Sequence, residues 1–218
     1  MLAPGISPPS DAIDKRPIVY IVDDDLLIRD GLRCLLEAEG LAVEDYDNSE
    51  AFLMTYQPGE GGCLLLDARL PGMSGIELLR WLRKNGSRIP ILMMTGHSDV
   101  AMAVEAMKAG ASDFLEKPVT RRRLVDSVKV AVTASRQINE RDDEQRSAAE
   151  HIAKLTPRQK EILMLVVGGR PSKNIAADIG ISQRTVESHR ASIMRKLGAK
   201  SLPELGRIVM RPDAEKEA

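Results

Sequence analysis

The stretch Cys63-Leu64-Leu65-Leu66-Asp67-Ala68-Arg69-Leu70-Pro71-Gly72 decides the fold of the N-terminal half. Four apolar residues end in an aspartate and then Pro-Gly, the pattern of a buried parallel strand whose carboxyl end opens into a loop. Asp67 then stands at the C-terminal rim of a sheet, where open α/β sheets bind their ligands. A lone aspartate there serves equally well as the cap of the next helix, and what the other strand ends carry decides between the two.

Upstream, Ile18 to Val22 is a short β-rich run ending in Asp23-Asp24-Asp25. Ile28, Leu32, Leu35 and Leu36 then repeat at helical spacing as far as Gly40. Leu41 to Tyr46 reads as a second strand and Ser49 as the cap of a short helix. Downstream, Ser74 caps a helix carrying Ile76, Leu78, Leu79 and Leu82, and Ile89 to Met94 is a fourth apolar run ending at Thr95-Gly96. A helix from Ser98 or Asp99 leads to Gly110, and Ser112 to Glu116 is a fifth strand ending at Lys117-Pro118. Strand and helix alternate five times, which predicts an α/β fold with a doubly wound, five-stranded parallel sheet.

Side by side, the strand ends read acid pair, acid, hydroxyl, lysine: Asp23 and Asp24, Asp67, Thr95, Lys117. Converging carboxylates repel each other, a cost that a divalent cation removes. Magnesium suits the set, because it prefers oxygen ligands, keeps several waters and accepts one or two carboxylates together with phosphate oxygens. A lysine and a hydroxyl opposite would hold the remaining phosphoryl oxygens by charge and hydrogen bond. Such a constellation can make and hold an aspartyl phosphate.

On these motifs, the first 130 or so residues resemble a bacterial response-regulator receiver domain. The resemblance implies that Asp67 accepts phosphate from a histidine kinase, with Asp23, Asp24, Asp67 and the backbone carbonyl of Arg69 binding Mg2+. It implies that Thr95 swings toward the phosphoryl group and that Phe114 is the aromatic that turns inward with it. Lys117 would pair with the acid at rest and with the phosphate afterwards, and the Lys117–Pro118 bond is open to the cis form. Asp25 starts the first helix, where the dipole favours negative charge. Phe114 reads otherwise as core. Arg69 and His97, each two residues past a site residue, flank the water approach to the acyl phosphate; His97 reads equally as a solvated loop histidine.

Composition bounds the rest. The chain of 218 residues is 29% charged, has no apolar run of membrane-spanning length, and is expected to be soluble and cytoplasmic. Cys34 and Cys63 fall in apolar patterns without metal spacing and read as core packing. Residues 1–15 lack a basic start followed by an apolar core and read as a disordered leader. The net charge of −1 hides an asymmetry: residues 151–212 hold twelve Lys/Arg against four Asp/Glu, residues 1–150 eighteen against twenty-five. A basic segment on an acidic chain suggests an attached nucleic-acid module.

Residues 16–133 are thus one domain, with its last helix at 119–133. Positions Leu124, Val128, Ala131, Ser135, Ile138 and Asp142 continue a four-three spacing beyond it, with polar seam positions. Residues 134–150 read as a linker, helical in continuation or frayed.

In residues 151–212, Leu155-Thr156-Pro157 starts a helix that ends at Gly168-Gly169. A second runs from Ser172 to Gly180, and Ser182 caps a third with Val186, Ile193, Met194 and Leu197 inside; Leu202 to Val209 is a fourth. Two helices about a tight glycine turn form a helix-turn-helix. The words Leu155-Thr-Pro-Arg-Gln-Lys-Glu161, Asn174-Ile-Ala176, Thr185-Val-Glu-Ser-His189 and Lys196-Leu197 resemble the LuxR/NarL/FixJ type of output domain, nearest the FixJ branch of nitrogen-fixation regulators. On the third helix Gln183, Arg184, Glu187, Ser188, Arg190 and Ala191 face outward. Lys173, Arg184, Arg190 and Lys200 suit phosphates, whereas Glu187, Ser188 and Ala191 occupy positions where relatives touch bases. Glu187 pairs alternatively with Arg184 or Arg190, and Thr185 and His189 support the helix or touch backbone.

The whole predicts a phosphorylation-activated transcriptional regulator of a two-component system. Its partners would be a sensor histidine kinase, promoter DNA, a second copy of itself on phosphorylation, and RNA polymerase. No enzymatic activity is expected beyond the domain's own aspartyl phosphorylation and dephosphorylation. A haloacid-dehalogenase phosphatase needs a second Asp two residues after the nucleophile, where Arg69 stands; a dinucleotide oxidoreductase needs Gly-x-Gly-x-x-Gly where this chain has Asp23-Asp24-Asp25. The intact acid set speaks against a ligand-gated regulator with a degenerate receiver.

Overall fold

Each apolar run forms a strand: β1 (Ile18–Val22), β2 (Ala42–Tyr46), β3 (Gly62–Asp67), β4 (Ile91–Thr95) and β5 (Asp113–Glu116). Helices α1 (Leu26–Ala38), α2 (Ser49–Thr55), α3 (Gly75–Lys84) and α4 (Val100–Lys108) connect them, and α5 (Arg121–Ala153) follows the last. The structure, a computed structural model, describes residues 17–59, 61–96 and 100–210. The expected leader, His97, the helix start at Ser98 or Asp99, and residues 211–212 lie outside the described residues. All neighbouring strands pair in parallel, in the order β2-β1-β3-β4-β5. Because the chain leaves β1 toward β2 and returns on its other side as β3, the sheet has its topological switch point between β1 and β3.

Side-chain alternation divides the core into two layers. Tyr20, Val22, Leu64, Leu66, Ile91 and Met93 pack with Phe52, Leu78, Leu79, Leu82 and Ala106 of α2, α3 and α4 on one face. Val19, Ile21, Cys63, Leu65, Leu92, Met94 and Leu115 pack with Leu36 of α1 and Leu124, Val128, Ala131 and Val132 of α5 on the other. Cys63 is buried, which pushes its thiol up to about 12; Cys34, expected in the core, is exposed, because it lies off the inner stripe of Leu32, Leu35 and Leu36.

The chain divides into two units at Asn139/Glu140. Helix α5 begins in the first and runs across this boundary as one helix of 33 residues, the helical continuation being one of the two alternatives for 134–150. Its packed face reaches Ser135, which is 4% exposed and whose Oγ accepts a hydrogen bond from the Gly62 N–H (3.0 Å). Asn139 Nδ2 donates to the Gly59 carbonyl (3.4 Å). Gly62 must be glycine, since its φ is +114° and a Cβ would stand 1.8 Å from the Ile18 carbonyl oxygen. Ser135→Ala removes the hydroxyl with little change of volume and leaves the Gly62 donor without an acceptor. The expected cost is about 1–3 kcal/mol, seen as a lower urea midpoint of the receiver unit; an unchanged midpoint would show that water takes over.

The second unit contains α6 (Pro157–Val167), α7 (Ser172–Ile179), α8 (Gln183–Lys196) and α9 (Leu202–Val209). Thr156 and Gln159 form a capping box at α6, and Ser182 caps α8. Leu155, Ile162, Leu163, Ile175, Val186, Ile193, Leu197 and Leu205 form its core. Among the described residues no helix is long and apolar enough to cross a membrane.

Candidate phosphoacceptor site and nucleic-acid interface

Asp67 ends β3, Asp23 follows β1, Thr95 ends β4 and Lys117 follows β5, so the strand ends bring four residues from 95 positions of sequence to one rim. Asp23 is fully buried and Asp67 is 6% exposed. The Lys117 ammonium lies between them, donating to Asp23 Oδ2 at 2.6 Å and Asp67 Oδ1 at 2.5 Å. The Arg69 N–H donates to Asp67 Oδ2 at 2.7 Å, and the Asp25 N–H to Asp23 Oδ1 at 3.0 Å. Asp25 caps α1, accepting from the backbone N–H groups of Leu27 and Ile28. Thr95 is buried at the end of β4, and its carbonyl accepts from the Lys117 N–H (2.7 Å). Register pairs Phe114 with Met93 and Glu116 with Thr95, which puts Phe114 and Thr95 on one face of the sheet; Phe114 is half-buried against the α4-side core. The Lys117–Pro118 bond is cis.

Burial pushes the Asp67 carboxyl above its ordinary value, against the hydrogen bond and charge of Lys117 and the Arg69 N–H, which lower it. For Lys117, burial alone would lower the ammonium, but the hydrogen bonds and charges of Asp23 and Asp67 outweigh it and hold the group above its ordinary value. Two carboxylates and one ammonium leave one negative charge in excess at the rim. Asp24, next to Asp23 but pointing the other way, is exposed, and among the described residues no three His, Cys, Asp or Glu groups stand together as a metal cage. Two buried carboxylates and a loop carbonyl still fit the donor chemistry of magnesium, which takes few protein ligands and keeps its waters.

Several residues that hold this site carry no sequence signal of their own. The loop after Asp67 is clamped to α2: Ser49 Oγ donates to the Met73 carbonyl (2.8 Å) and Glu50 Oε1 accepts from the Met73 N–H (3.0 Å). Gly75 opens α3 where a Cβ would meet the Asp67 carbonyl oxygen at 2.0 Å. Arg29 reaches from α1 to the Asp23 carbonyl, Nη1 to O 2.7 Å.

In the second unit, α8 buries Val186 and Ile193 and exposes Gln183, Arg184, Thr185, Glu187, Ser188 and Ala191. Lys173 of α7 and Lys200 after α8 are also exposed. Glu187 accepts from Gln183 Nε2 at 2.9 Å, one turn back, in place of the expected pairing with Arg184 or Arg190. Arg190 is half-buried, with Nη1 donating to Ser172 Oγ at 3.1 Å, which ties α8 to the start of α7. The Thr185 and Ser182 hydroxyls share a hydrogen bond (2.8 Å) at the α8 cap, so Thr185 supports the helix.

A five-stranded parallel sheet with an acid–lysine rim, on one chain with a helix-turn-helix, is a response regulator with a DNA-binding output. Family profiles agree: residues 19–129 match the response regulator receiver domain and residues 153–209 the bacterial regulatory proteins of the luxR family. The chain belongs to the two-component response regulators of this type, which are transcriptional regulators and not enzymes. Transcriptional regulatory protein FixJ of Azorhizobium caulinodans is 43% identical over 192 residues, covering 88% of this chain and 91% of the relative. Response regulator protein TodT of Pseudomonas putida is 35% identical, covering 91% and 87%. Among solved structures, response regulator StyR superposes with a TM-score of 0.80 at 40% identity, covering 89% of this chain and 98% of that one. Receiver domains generally bind magnesium in their acidic pocket, and the two domains imply a histidine kinase and promoter DNA as partners.

Proposed function

We propose that Asp67 is the phosphoacceptor and that phosphorylation there raises the affinity of the α7–α8 module for its promoter. The observation that carries this is the Lys117 ammonium held between Asp23 and Asp67 at the β1/β3 switch point. An Asp67 carboxylate oxygen attacks the phosphorus of a phosphohistidine; the P–N bond breaks, and the imidazole leaves with the electron pair and takes a proton. Asp23, Asp24, Asp67 and the Arg69 carbonyl would hold magnesium, whose positive charge would be supplied to the phosphoryl oxygens. Lys117 then exchanges its Asp67 contact for a phosphoryl oxygen, and Thr95 turns its hydroxyl to another. Phe114, on the same sheet face as Thr95, turns inward and alters the surface from Val100 to Arg121. Val100, Val104 and Met107 on that surface are exposed apolar side chains, which suits a dimer formed on phosphorylation, its two modules meeting two half-sites.

Residues 16–133 form the receiver, 134–150 the linker and 151–212 the DNA-binding domain, carried by a leader at 1–15. Lys173, Arg184, Arg190 and Lys200 contact phosphates; Gln183, Glu187, Ser188 and Ala191 face base edges, and Thr185 lies close to the backbone. RNA polymerase is the further partner at the promoter, and the cytoplasm is where the chain works. Incubation with acetyl phosphate and Mg2+ should add one phosphoryl group by intact mass and strengthen a promoter gel shift. Equal DNA affinity of both forms at every protein concentration overturns the reading.

The kinase must reach Asp67 past the start of α1, where Leu26 and Leu27 are 57% and 81% exposed beside the acid cluster. Leu27→Glu is expected to slow transfer from the cognate kinase about tenfold or more, an apolar anchor being lost, while the acetyl phosphate rate stays unchanged. A parallel fall in both rates would place Leu27 in the chemistry and not the docking.

A further inference from the structure

Asp23 is held at every polar atom. Its N–H donates to the Tyr46 carbonyl (3.2 Å), its Oδ1 accepts from the Asp25 N–H, its Oδ2 from Lys117, and its carbonyl from Arg29 Nη1 at 2.7 Å. Of these partners Arg29 alone is a side chain outside the rim. Its guanidinium is 11% exposed, its Nε donates to Asp45 Oδ2 at 3.1 Å, and Arg33 pairs with the other oxygen of Asp45. Burying a guanidinium is costly unless it is paired and hydrogen-bonded. Here the pairing comes from Asp45 of β2, which is 15% exposed and lies beside Ile21 in the register, two residues before Asp23.

We infer that Arg29 is a positioning residue for phosphoryl transfer: it fixes the Asp23 peptide, and with it the direction of the Asp23 carboxylate toward the cation and Lys117. Asp45, steadied by Arg33, is the backstop that sets the guanidinium. The inference rests on the reading of Asp67 as phosphoacceptor and of Asp23 as a magnesium ligand. The geometry gives Arg29 two tasks. The planar fork spans a carboxylate and a carbonyl in one fixed geometry, which a flexible ammonium does not impose. Its fixed positive charge also lies beside a rim with one negative charge in excess. Groups that orient metal-binding carboxylates act in this way, and their loss typically costs about 10–100-fold in metal affinity or activity.

The test uses the full chain with Arg29→Met, Arg29→Lys and Asp45→Asn. Thermal unfolding reports folding, calorimetric titration with Mg2+ reports affinity without any turnover, and intact mass after acetyl phosphate at saturating Mg2+ reports the rate. Arg29→Met is expected to melt cooperatively, to bind Mg2+ about tenfold more weakly and to take up phosphoryl about tenfold more slowly. Arg29→Lys should regain part of the charge effect, and Asp45→Asn should lose about threefold in both. A helix-surface role would move the melting temperature alone. Folded Arg29→Met with Mg2+ affinity and rate within about twofold of the parent overturns the inference and leaves the phosphoacceptor reading standing. Should Arg29→Met not fold, parent-like values for both other variants overturn it equally. A parent protein that takes up neither Mg2+ nor phosphoryl sinks the underlying reading instead.

Discussion

Asp67→Asn is expected to reduce phosphoryl uptake from acetyl phosphate by at least about a thousandfold, the scale seen when a covalent nucleophile is removed. An amide of the same shape has no charge with which to attack phosphorus, so the loss is chemical and not steric. The fold should survive. The native carboxyl already sits above its ordinary value because burial outweighs Lys117 and the Arg69 N–H, so removing its charge relieves desolvation while it weakens the ion pair. Those opposing changes leave a net stability change of about 1 kcal/mol either way. One mismatch follows from the geometry: Oδ1 and Oδ2 both accept, from Lys117 Nζ and from the Arg69 N–H, and an amide turns its NH2 toward one of those donors. Promoter gel shifts of the variant should stay at the unphosphorylated level after acetyl phosphate and Mg2+. Uptake at the parent rate would move the acceptor to Asp23 or Asp24, and peptide mapping after borohydride reduction would say which.

The rim was legible because strand ends are the places where apolar runs stop, and the topology of an α/β sheet gathers such ends without any knowledge of contacts. Asp23, Asp67, Thr95 and Lys117 follow from that rule alone. Orientation does not: Asp23 and Asp24 are neighbours in sequence, yet one is buried and the other exposed, since successive side chains leave a strand end on opposite sides. The run of residues beyond 133 reads as linker because the seam position Ser135 is polar, as is Asn139 beside the seam. Their partners, Gly62 and Gly59, lie 73 and 80 residues away, and no local pattern carries that information. Arg29 carries no local signal for the same reason, its partner Asp45 being on another strand. At α2 the polar pair Asn48-Ser49 hides a division of labour: Asn48 caps the helix, accepting from the Ala51 N–H, and Ser49 ties down the loop after Asp67. In the second unit caps and glycine turns are local, so the helices are legible there; the Gln183–Glu187 pair is one of several equivalent surface choices.

Lys117→Met tests the electrostatics of the rim most severely. The ammonium is the shared partner of two carboxylates whose side chains are 1% and 8% exposed. Truncating one member of a buried charged cluster leaves the others uncompensated, which typically costs about 3–5 kcal/mol, or a fall in melting temperature on the order of 10 °C for a unit of this size. The sign of the pH dependence follows from the direction of the shifts. In the parent, Lys117 lies above its ordinary value, so its contribution is complete below the unfolded-state value near about 10.4 and fades only as the pH rises through the folded value. Between pH 5 and 9, roughly, that group adds no slope. In the variant the lowering influence of Lys117 on Asp67 is gone, and burial with the charge of Asp23 drives the carboxyl further up. The folded state then holds a proton that the unfolded state releases, and stability is lost as pH rises from the unfolded carboxyl value, about 3.9, to the raised folded one. Urea midpoints of parent and variant should therefore lie further apart at pH 8 than near pH 5, and millimolar Mg2+ should narrow the gap at pH 8 by replacing the missing cation. Equal midpoints at pH 8, or a gap that persists unchanged at pH 5, would mean that solvent and not Lys117 screens the two acids.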